Sequence, residues 1–303
     1  MPQTARLRIP ASTSNLGAGF DTLGLALDLP LNVNVHFDTE STCIISARGE
    51  GARESSKLDD HLILHAFSCA CREYGQPVPR IALEIDNKIP LKRGLGSSGA
   101  AIIAGALAAQ IYFDRAWSQE ELLNLACQLE GHPENVSASL LGGLTVNGLE
   151  NGRVVCERFT PPENWAAACF VPDMEIATED ARRVLPASIS RREAIGNLQS
   201  TAMMVAAFAK ANSGLLNFAA KDNMHQPHRK ALIPGFDAIL AAAMQSGSYC
   251  AFLSGSGSTL LAITEDDHAR DVTQAMARAG HAHGLTGRPM VLSFAALGAG
   301  WEL

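Results

Sequence analysis

Residues 90–101 read PLKRGLGSSGAA and run directly into an alanine-rich stretch. Gly94, Gly96 and Gly99 let backbone N–H groups turn inward, and a helix opening at the serines adds its partial positive charge. Such a segment can cradle a phosphate. A flexible strand-to-helix turn is the plainer alternative, but it gives the glycines and serines no purpose ahead of an apolar helix. The loop lacks the GK[ST] ending of a Walker A motif. Its Gly94-x-Gly96-x-x-Gly99 spacing satisfies the dinucleotide pattern literally. A Rossmann loop, however, follows the first strand of a βαβ unit, and here about 90 residues of antiparallel character come first. Serines in mid-loop suit ligation of a phosphate or Mg²⁺ better than close pyrophosphate packing. A nicotinamide dehydrogenase is therefore the weakest of the readings.

Other ligand-type residues are dispersed. The seven cysteines stand singly except for Cys69 and Cys71, and CxC without a second pair is no zinc set. His225 and His228 are spaced as a metal pair could be, but with no third ligand nearby they are better read as structural or pocket residues. An odd cysteine count, with no apolar signal core in MPQTARLRIPAS, predicts reduced thiols and a cytoplasmic protein. The longest apolar run, residues 100–113, is broken by Gly105 and Gln110 and is too short to span a bilayer. Lys and Arg total 24 against 31 acidic residues, a net charge of −7. That leaves no broad cationic face for nucleic acid, although a local arginine cluster could still take one small anion.

The elements that must position these residues follow from periodicity. Residues 6–9 predict a short strand, 11–24 a polar and glycine-rich loop, and 31–37 (LNVNVHF) a strand of period 2. Residues 41–47 and 81–85 predict further strands, and 61–74 a helix. Residues 97–113 form an Ala-rich helix that is apolar nearly all round and hence buried, with Ser97 or Ser98 as its cap. Ser118 and Glu121 make a capping box for a helix running to about Glu130. Asn151-Gly152 joins strands near 144–146 and 154–158. TPPEN at 160–164 is the best boundary, dividing 303 residues into domains 1–161 and 162–303. Beyond it come a strand at 166–171, a loop carrying Thr178 and Arg182, and helices at 191–211, 214–221, 234–245 and 267–279. Strands at 249–253, 259–264 and 289–297 complete the half. The order lacks βα regularity, so the fold class is α+β. Hydrophobic content of 47% with 18% charged residues is globular.

Four further segments accompany the loop: PASTSNLGAGFDTLGLAL (10–27), LEGHPENVSASLLGG (129–143), DNMHQPHRKALIPGF (222–236) and FLSGSGSTLLAI (252–263). Together they resemble the GHMP kinases. The HQPxR…LIPGF run is similar to the homoserine kinase branch of that superfamily. The resemblance implies a two-domain fold, with an N-domain like ribosomal protein S5 domain 2 and a ferredoxin-like C-domain. It implies ATP bound by Pro90, Lys92, Arg93, Gly94, Leu95, Gly96, Ser97, Ser98, Gly99 and Ala100. Ser98 and Glu130 match Mg²⁺ ligands, a sensible pair for a cation that takes oxygen donors. Asn15 and Asp21 match holders of the amino and hydroxyl groups of L-homoserine, and His132, Asn135 and Gly257 further substrate contacts. Arg182 and Arg229 match the guanidiniums that take the α-carboxylate, the pairing that arginine makes best. Thr178 matches a threonine near the transferred phosphoryl group.

The catalytic set so implied is Asp21, Thr178, Ser98 and Glu130, making O-phospho-L-homoserine for threonine biosynthesis in a homodimer. No obvious general base is present apart from Asp21, and phosphoryl transfer through a loose transition state depends mainly on positioning. Departures from the family pattern are Gly99 for Ala, Ser258 for Pro, and His61 for an Asn of the adenine pocket. The rival readings are a kinase of another small amino alcohol such as threonine, and a non-catalytic sensor on the same fold.

Overall fold

Ser12, Thr13 and Ser14, expected in a loop, belong to a strand. In a computed structural model, which describes residues 3–58, 61–73, 75–114 and 117–303, β1 (Thr4–Asn15) and β2 (Gly19–Phe37) form one antiparallel hairpin. Its turn is only residues 16–18. The polar residues that disguised it are buried, not solvated. Their hydroxyls bond across to Asn135 and Ser254, which is what permits polar groups in a strand covered on both faces.

The chain continues through β3 (Cys43–Gly49), α1 (Ala52–Ser55), α2 (Leu62–Glu73), β4 (Ile81–Asn87) and α3 (Ser97–Tyr112). Next come α4 (Gln119–Glu130), α5 (Glu134–Leu141), β5 (Leu144–Glu150) and β6 (Arg153–Phe159). The second half holds β7 (Trp165–Pro172), α6 (Thr178–Arg183), α7 (Arg191–Lys210), α8 (Leu216–Ala219), α9 (Gln226–Arg229) and α10 (Phe236–Gln245). It ends with β8 (Cys250–Leu253), β9 (Leu260–Glu265), α11 (Ala269–Ala282), β10 (Gly287–Ser293) and β11 (Gly300–Glu302). One sheet runs β11-β1-β2-β4-β3, with β5 on β2 and β6 on β5. The other is antiparallel, in the order β10-β7-β9-β8. The α+β class expected from the sequence is what the chain forms.

Most elements fall where their periodicity placed them. The helix expected over 61–74 is α2, and Tyr74 lies outside the described residues. Ser118 and Glu121 make the full capping box at the start of α4. Asn151 and Gly152 both take positive φ, at 52° and 79°, as a type I′ hairpin turn requires. The cap of α3 differs from expectation. Gly96, in the left-handed region, stands at the N-cap and no side chain caps the helix. The segment with Thr178 and Arg182, expected as a loop, opens into the short helix α6, and α5 and β11 had no clear periodic signal.

α3 is buried along almost its whole length and packs on α2. The closest approach is at Gly105, where an added Cβ would lie 2.3 Å from the Ile63 carbonyl oxygen and 2.7 Å from the Phe67 nitrogen. Both obstacles are backbone, so neither can move aside. Alanine is the better helix former by up to ~1 kcal/mol, yet Gly105→Ala should destabilise the protein by ~1–3 kcal/mol through overpacking. Urea unfolding checks the sign; a stabilised variant would show that the two helices can separate freely.

Candidate active site

A cleft of about 490 Å³ opens between the 90–98 loop, the β1–β2 turn, the start of α5, α6 and the turn after β8. Pro90, Lys92, Arg93, Gly94, Leu95, Gly96, Ser97 and Ser98 all line it. Gly99 and Ala100 lie behind them in α3, outside the lining. The loop backbone takes positive φ at Lys92, Gly94 and Gly96. A Cβ on Gly94 would sit 2.0 Å from the Ser254 carbonyl oxygen, and one on Gly96 2.0 Å from Ser12 Oγ. The cradle is therefore drawn tight against both neighbours. Arg93 is committed elsewhere: Nε donates to Pro172 O at 2.9 Å, Nη1 to Leu91 O at 2.9 Å and Nη2 to Asp173 O at 2.7 Å. It straps the loop to β7 and the residue after it.

At the loop's helical end, Ser98 Oγ donates to Glu130 Oε1 at 2.6 Å. Burial pushes the Glu130 carboxyl above the usual carboxylate range, against the Ser98 hydrogen bond and the His132 charge, with nearby Glu134 adding to the rise. Glu134, which sequence reasoning passed over, is 2% exposed and lines the cleft. Its Oε1 lies 3.0 Å from His132 Nδ1 and accepts from Asn135 Nδ2 at 3.0 Å, while Oε2 has no partner among the described residues. Burial opposes the His132 imidazolium, but the Glu134 contact and the charges of Glu130 and Asp21 outweigh it, so its pKa is raised. Asn135 is a buried strut: Oδ1 accepts from Ser12 Oγ at 3.0 Å and Nδ2 also reaches Ser14 Oγ at 3.2 Å. Among the described residues no group of three or more His, Cys, Asp or Glu could hold a metal ion. A cation here would draw on Ser98 and Glu130, two hard oxygen donors already converging, and would complete its shell from phosphate and water.

At the far wall, Asn15 and Asp21 both take positive φ, at 72° and 53°. They flank the hairpin turn, Asn15 at the end of β1 and Asp21 near the start of β2, where the sequence predicted a loop over 11–24. Asn15 Nδ2 donates to Gly255 O at 3.1 Å, and its Oδ1 accepts from the Asp21 backbone N–H at 3.1 Å. Arg182 grips Asp21 in a bidentate pair, at 3.0 and 2.8 Å. Arg229 is 2% exposed. Its Nε donates to Ala181 O at 3.0 Å, and Nη1 to Gly255 O at 3.1 Å and His225 Nδ1 at 3.3 Å. It has no carboxylate partner among the described residues. Burial, followed by the charge of Arg182, lowers its pKa to about 10. Phe20, another residue passed over, lies 5.3 Å from the Arg182 guanidinium and 5.2 Å from that of Arg229. Thr178 begins α6 on the rim. Gly257 lies outside the lining, where Gly255 and Ser256 form the wall. His225 and His228 do not make a metal pair, since both ring nitrogens of His225 are engaged within the protein. At the opposite end, His61 is buried, its Nδ1 has no hydrogen-bond partner among the described residues, and burial lowers its pKa.

Residues 61–143 match the GHMP kinases N terminal domain and residues 204–282 the GHMP kinases C terminal family. A homoserine kinase of Synechococcus sp. is 40% identical, over 97% of this chain and 96% of its own. The chain belongs to the GHMP kinase family. A homoserine kinase of Desulfitobacterium hafniense is 39% identical over 97% of this kinase and 98% of that protein. The crystal structure of homoserine kinase from Cytophaga hutchinsonii superposes with a TM-score of 0.89 at 26% identity, covering 100% of this kinase and 98% of that chain. A mevalonate kinase, at a TM-score of 0.68 and 13% identity, shares the fold.

No helix among the described residues of this kinase is long and apolar enough to cross a membrane. Glu134 and Phe20 carried no sequence signal beyond their neighbours: one follows a His-Pro, the other sits among glycines. The glycine cradle yields a direct test. Gly96→Ala places a Cβ against Ser12 in a left-handed backbone, and should abolish ATP binding in a calorimetric titration. Gly99→Ala, where the nearest atoms of Asn135 would be 3.3 Å away, should leave binding measurable. Unchanged affinity in Gly96→Ala would place the phosphates elsewhere.

Proposed function

We propose that this kinase transfers the γ-phosphoryl group of ATP to the side-chain hydroxyl of L-homoserine. The observation that carries the reading is Arg229, a buried cation with no carboxylate partner, beside the Asp21–Arg182 pair. An isolated buried charge is costly, and a substrate carboxylate relieves that cost. The same substrate's ammonium suits Asp21. Two cations and one anion on one wall fit an α-amino acid, whereas mevalonate and galactose lack the ammonium. The names of the relatives support the same acceptor.

Ser98 and Glu130 would hold Mg²⁺, which supplies neutralisation of the charge on the phosphates when bound. The inward backbone of residues 94–96 binds the phosphates, and Asn15 and Asp21, on either side of the hairpin turn, orient the acceptor. Both Asp21 oxygens accept from Arg182, which fits a ligand for ammonium better than a general base. The acceptor hydroxyl then attacks directly and passes its proton late to a phosphate oxygen. Thr178, on the rim, would orient that hydroxyl. The proposal includes two domains meeting at residues 161 and 162, a homodimer read by sedimentation, and a cytoplasmic setting, which the seven unpaired cysteines support.

Phosphate transfer from ATP, screened across homoserine, threonine, serine and mevalonate, tests the reading; homoserine should be preferred. Losing one charge-assisted contact typically costs ~1.5–3 kcal/mol. Arg229→Leu should therefore raise KM for homoserine at least about tenfold while KM for ATP barely moves. A rise shared equally by both substrates would make Arg229 a support of the fold instead of a reader of carboxylate.

A further inference from the structure

His225 is fully buried at 0% exposure, yet no step above uses it. Its two nitrogens meet partners of opposite character. Arg229 Nη1, which can only donate, lies 3.3 Å from Nδ1. The Gly17 carbonyl oxygen, which can only accept, lies 2.7 Å from Nε2. These two neighbours leave one arrangement: a neutral ring with its proton on Nε2 and a lone pair on Nδ1 turned to Arg229. Asp222 holds the backbone that presents this ring. Its carboxylate accepts from the N–H groups of Met224, His225 and Gln226 and from Asn197 Nδ2. Phe20 stacks on the imidazole, with centroids 5.2 Å apart and planes at 29°, and reaches both guanidiniums with the same ring.

Arg229 is thus held at Nε by Ala181 O and at Nη1 by Gly255 O and His225 Nδ1. Nη2 alone has no partner among the described residues. We propose that neutral His225 is the positioning residue that sets the Arg229 guanidinium, and through it the selection of acceptors bearing a free carboxylate. The inference rests on the reading of Arg229 as the carboxylate ligand. A proton on Nδ1 would set donor against donor and cation against cation, and Arg229 would have to move. The charged groups acting on the ring are Asp222 at 3.4 Å from Nε2, Arg229 on its own short helix and Asp21 near the start of β2, with Arg182 5.3 Å from the Phe20 ring that stacks on the imidazole. Burial, more than any of these charges, keeps the His225 pKa below the ordinary histidine value, so the ring is neutral at pH 7.

Two variants separate positioning from bulk. His225→Phe keeps a ring against Phe20 but offers no acceptor; His225→Gln keeps a carbonyl acceptor. Acceptors are homoserine and its methyl ester, which lacks the free carboxylate. His225→Phe should raise KM for homoserine about tenfold while kcat and KM for ATP stay within about twofold. The preference for homoserine over the ester should fall by the same factor, and His225→Gln should restore most of it. Placed on Arg229→Leu, His225→Phe should add nothing further. Should neither variant fold, the wild-type enzyme carries the test. Its preference for the free acid must fall as pH drops below the ordinary histidine range, where neither end of homoserine titrates. His132 also titrates when pH is lowered, and a loss shared equally by both acceptors is assigned to it and not to His225. Failure of the wild-type enzyme to phosphorylate homoserine overturns the proposed function. An active enzyme whose preference for the acid is unmoved by the variants, or by pH where they do not fold, overturns the role of His225. So does a His225→Phe that weakens ATP and both acceptors equally.

Discussion

The backbone of residues 94–96 lies so close to Ser12 and Ser254 that no side chain fits at either glycine, and the rest of the cleft is arranged around that contact. Ser254 Oγ bonds both Gly94 O, at 2.6 Å, and Thr13 Oγ1, at 2.8 Å. Ser12 Oγ in turn holds Asn135, at the head of α5. The phosphate loop, the β1–β2 hairpin, α5 and the turn after β8 are thereby joined by short bonds among buried hydroxyls and amides. In a medium of low dielectric such bonds are stronger than in water, and each member is costly to leave unpaired. The network reaches further, because Gly255 O, one residue on, accepts from Asn15 and from Arg229. The phosphate end and the arginine end share one short stretch of backbone.

That arrangement explains which parts of the structure were legible in the sequence. Ser118 with Glu121, and Asn151 with Gly152, act through their own backbone, so spacing alone located them. The apolar helix α3 announced its burial because no face of it is polar. Residues 11–15 did the opposite. They are strand, but their serines and threonine are satisfied by distant groups, so the sequence reads as solvated loop. Only the positions of Asn135 and Ser254, more than a hundred residues away, resolve the conflict. The Gly96 cap shows the same limit: a serine next to a helix is a usual cap, but here the left-handed turn that serves the cradle takes the position. Arg93 looked like a phosphate ligand by its place in the loop, and the carbonyls of Pro172 and Asp173 that occupy it belong to the second half of the chain.

Residue types at the arginine wall were legible and their partners were not. Arg182 and Arg229 look alike in sequence, but in the fold they differ in kind. Arg182 has a carboxylate and half-exposed surroundings. Arg229 has carbonyls, an imidazole and an aromatic ring, and no carboxylate in ion-pair contact among the described residues, the charges of Asp21, Asp222 and Glu134 reaching it only from further off. Nothing in the motif around either residue distinguishes them, because the difference depends on partners distant in sequence: Asp21 for Arg182, and Ala181 and Gly255 for Arg229.

The consequence is an imbalance fixed in place. A chain of net charge −7 keeps one buried guanidinium without a direct carboxylate partner among the described residues, and it holds Asn15 and Asp21 in a left-handed backbone that costs of order 1–3 kcal/mol per residue. A buried cation with no carboxylate in direct contact is a further burden, eased only in part by the charges of Asp21, Asp222 and Glu134. Set against a net stability of roughly 5–15 kcal/mol for a typical domain, these are large terms. They persist because the surrounding elements are held by extensive apolar cores. The first sheet packs on α3 and α5, with α2 behind α3, the second sheet packs on α10 and α11, and one apolar cluster runs on from the first sheet into the second. A rigid scaffold can therefore hold a cation, a strained turn and a glycine cradle in advance of any ligand. The free energy of placing those groups is spent in folding, and an anionic ligand meets charges that need no reorganisation.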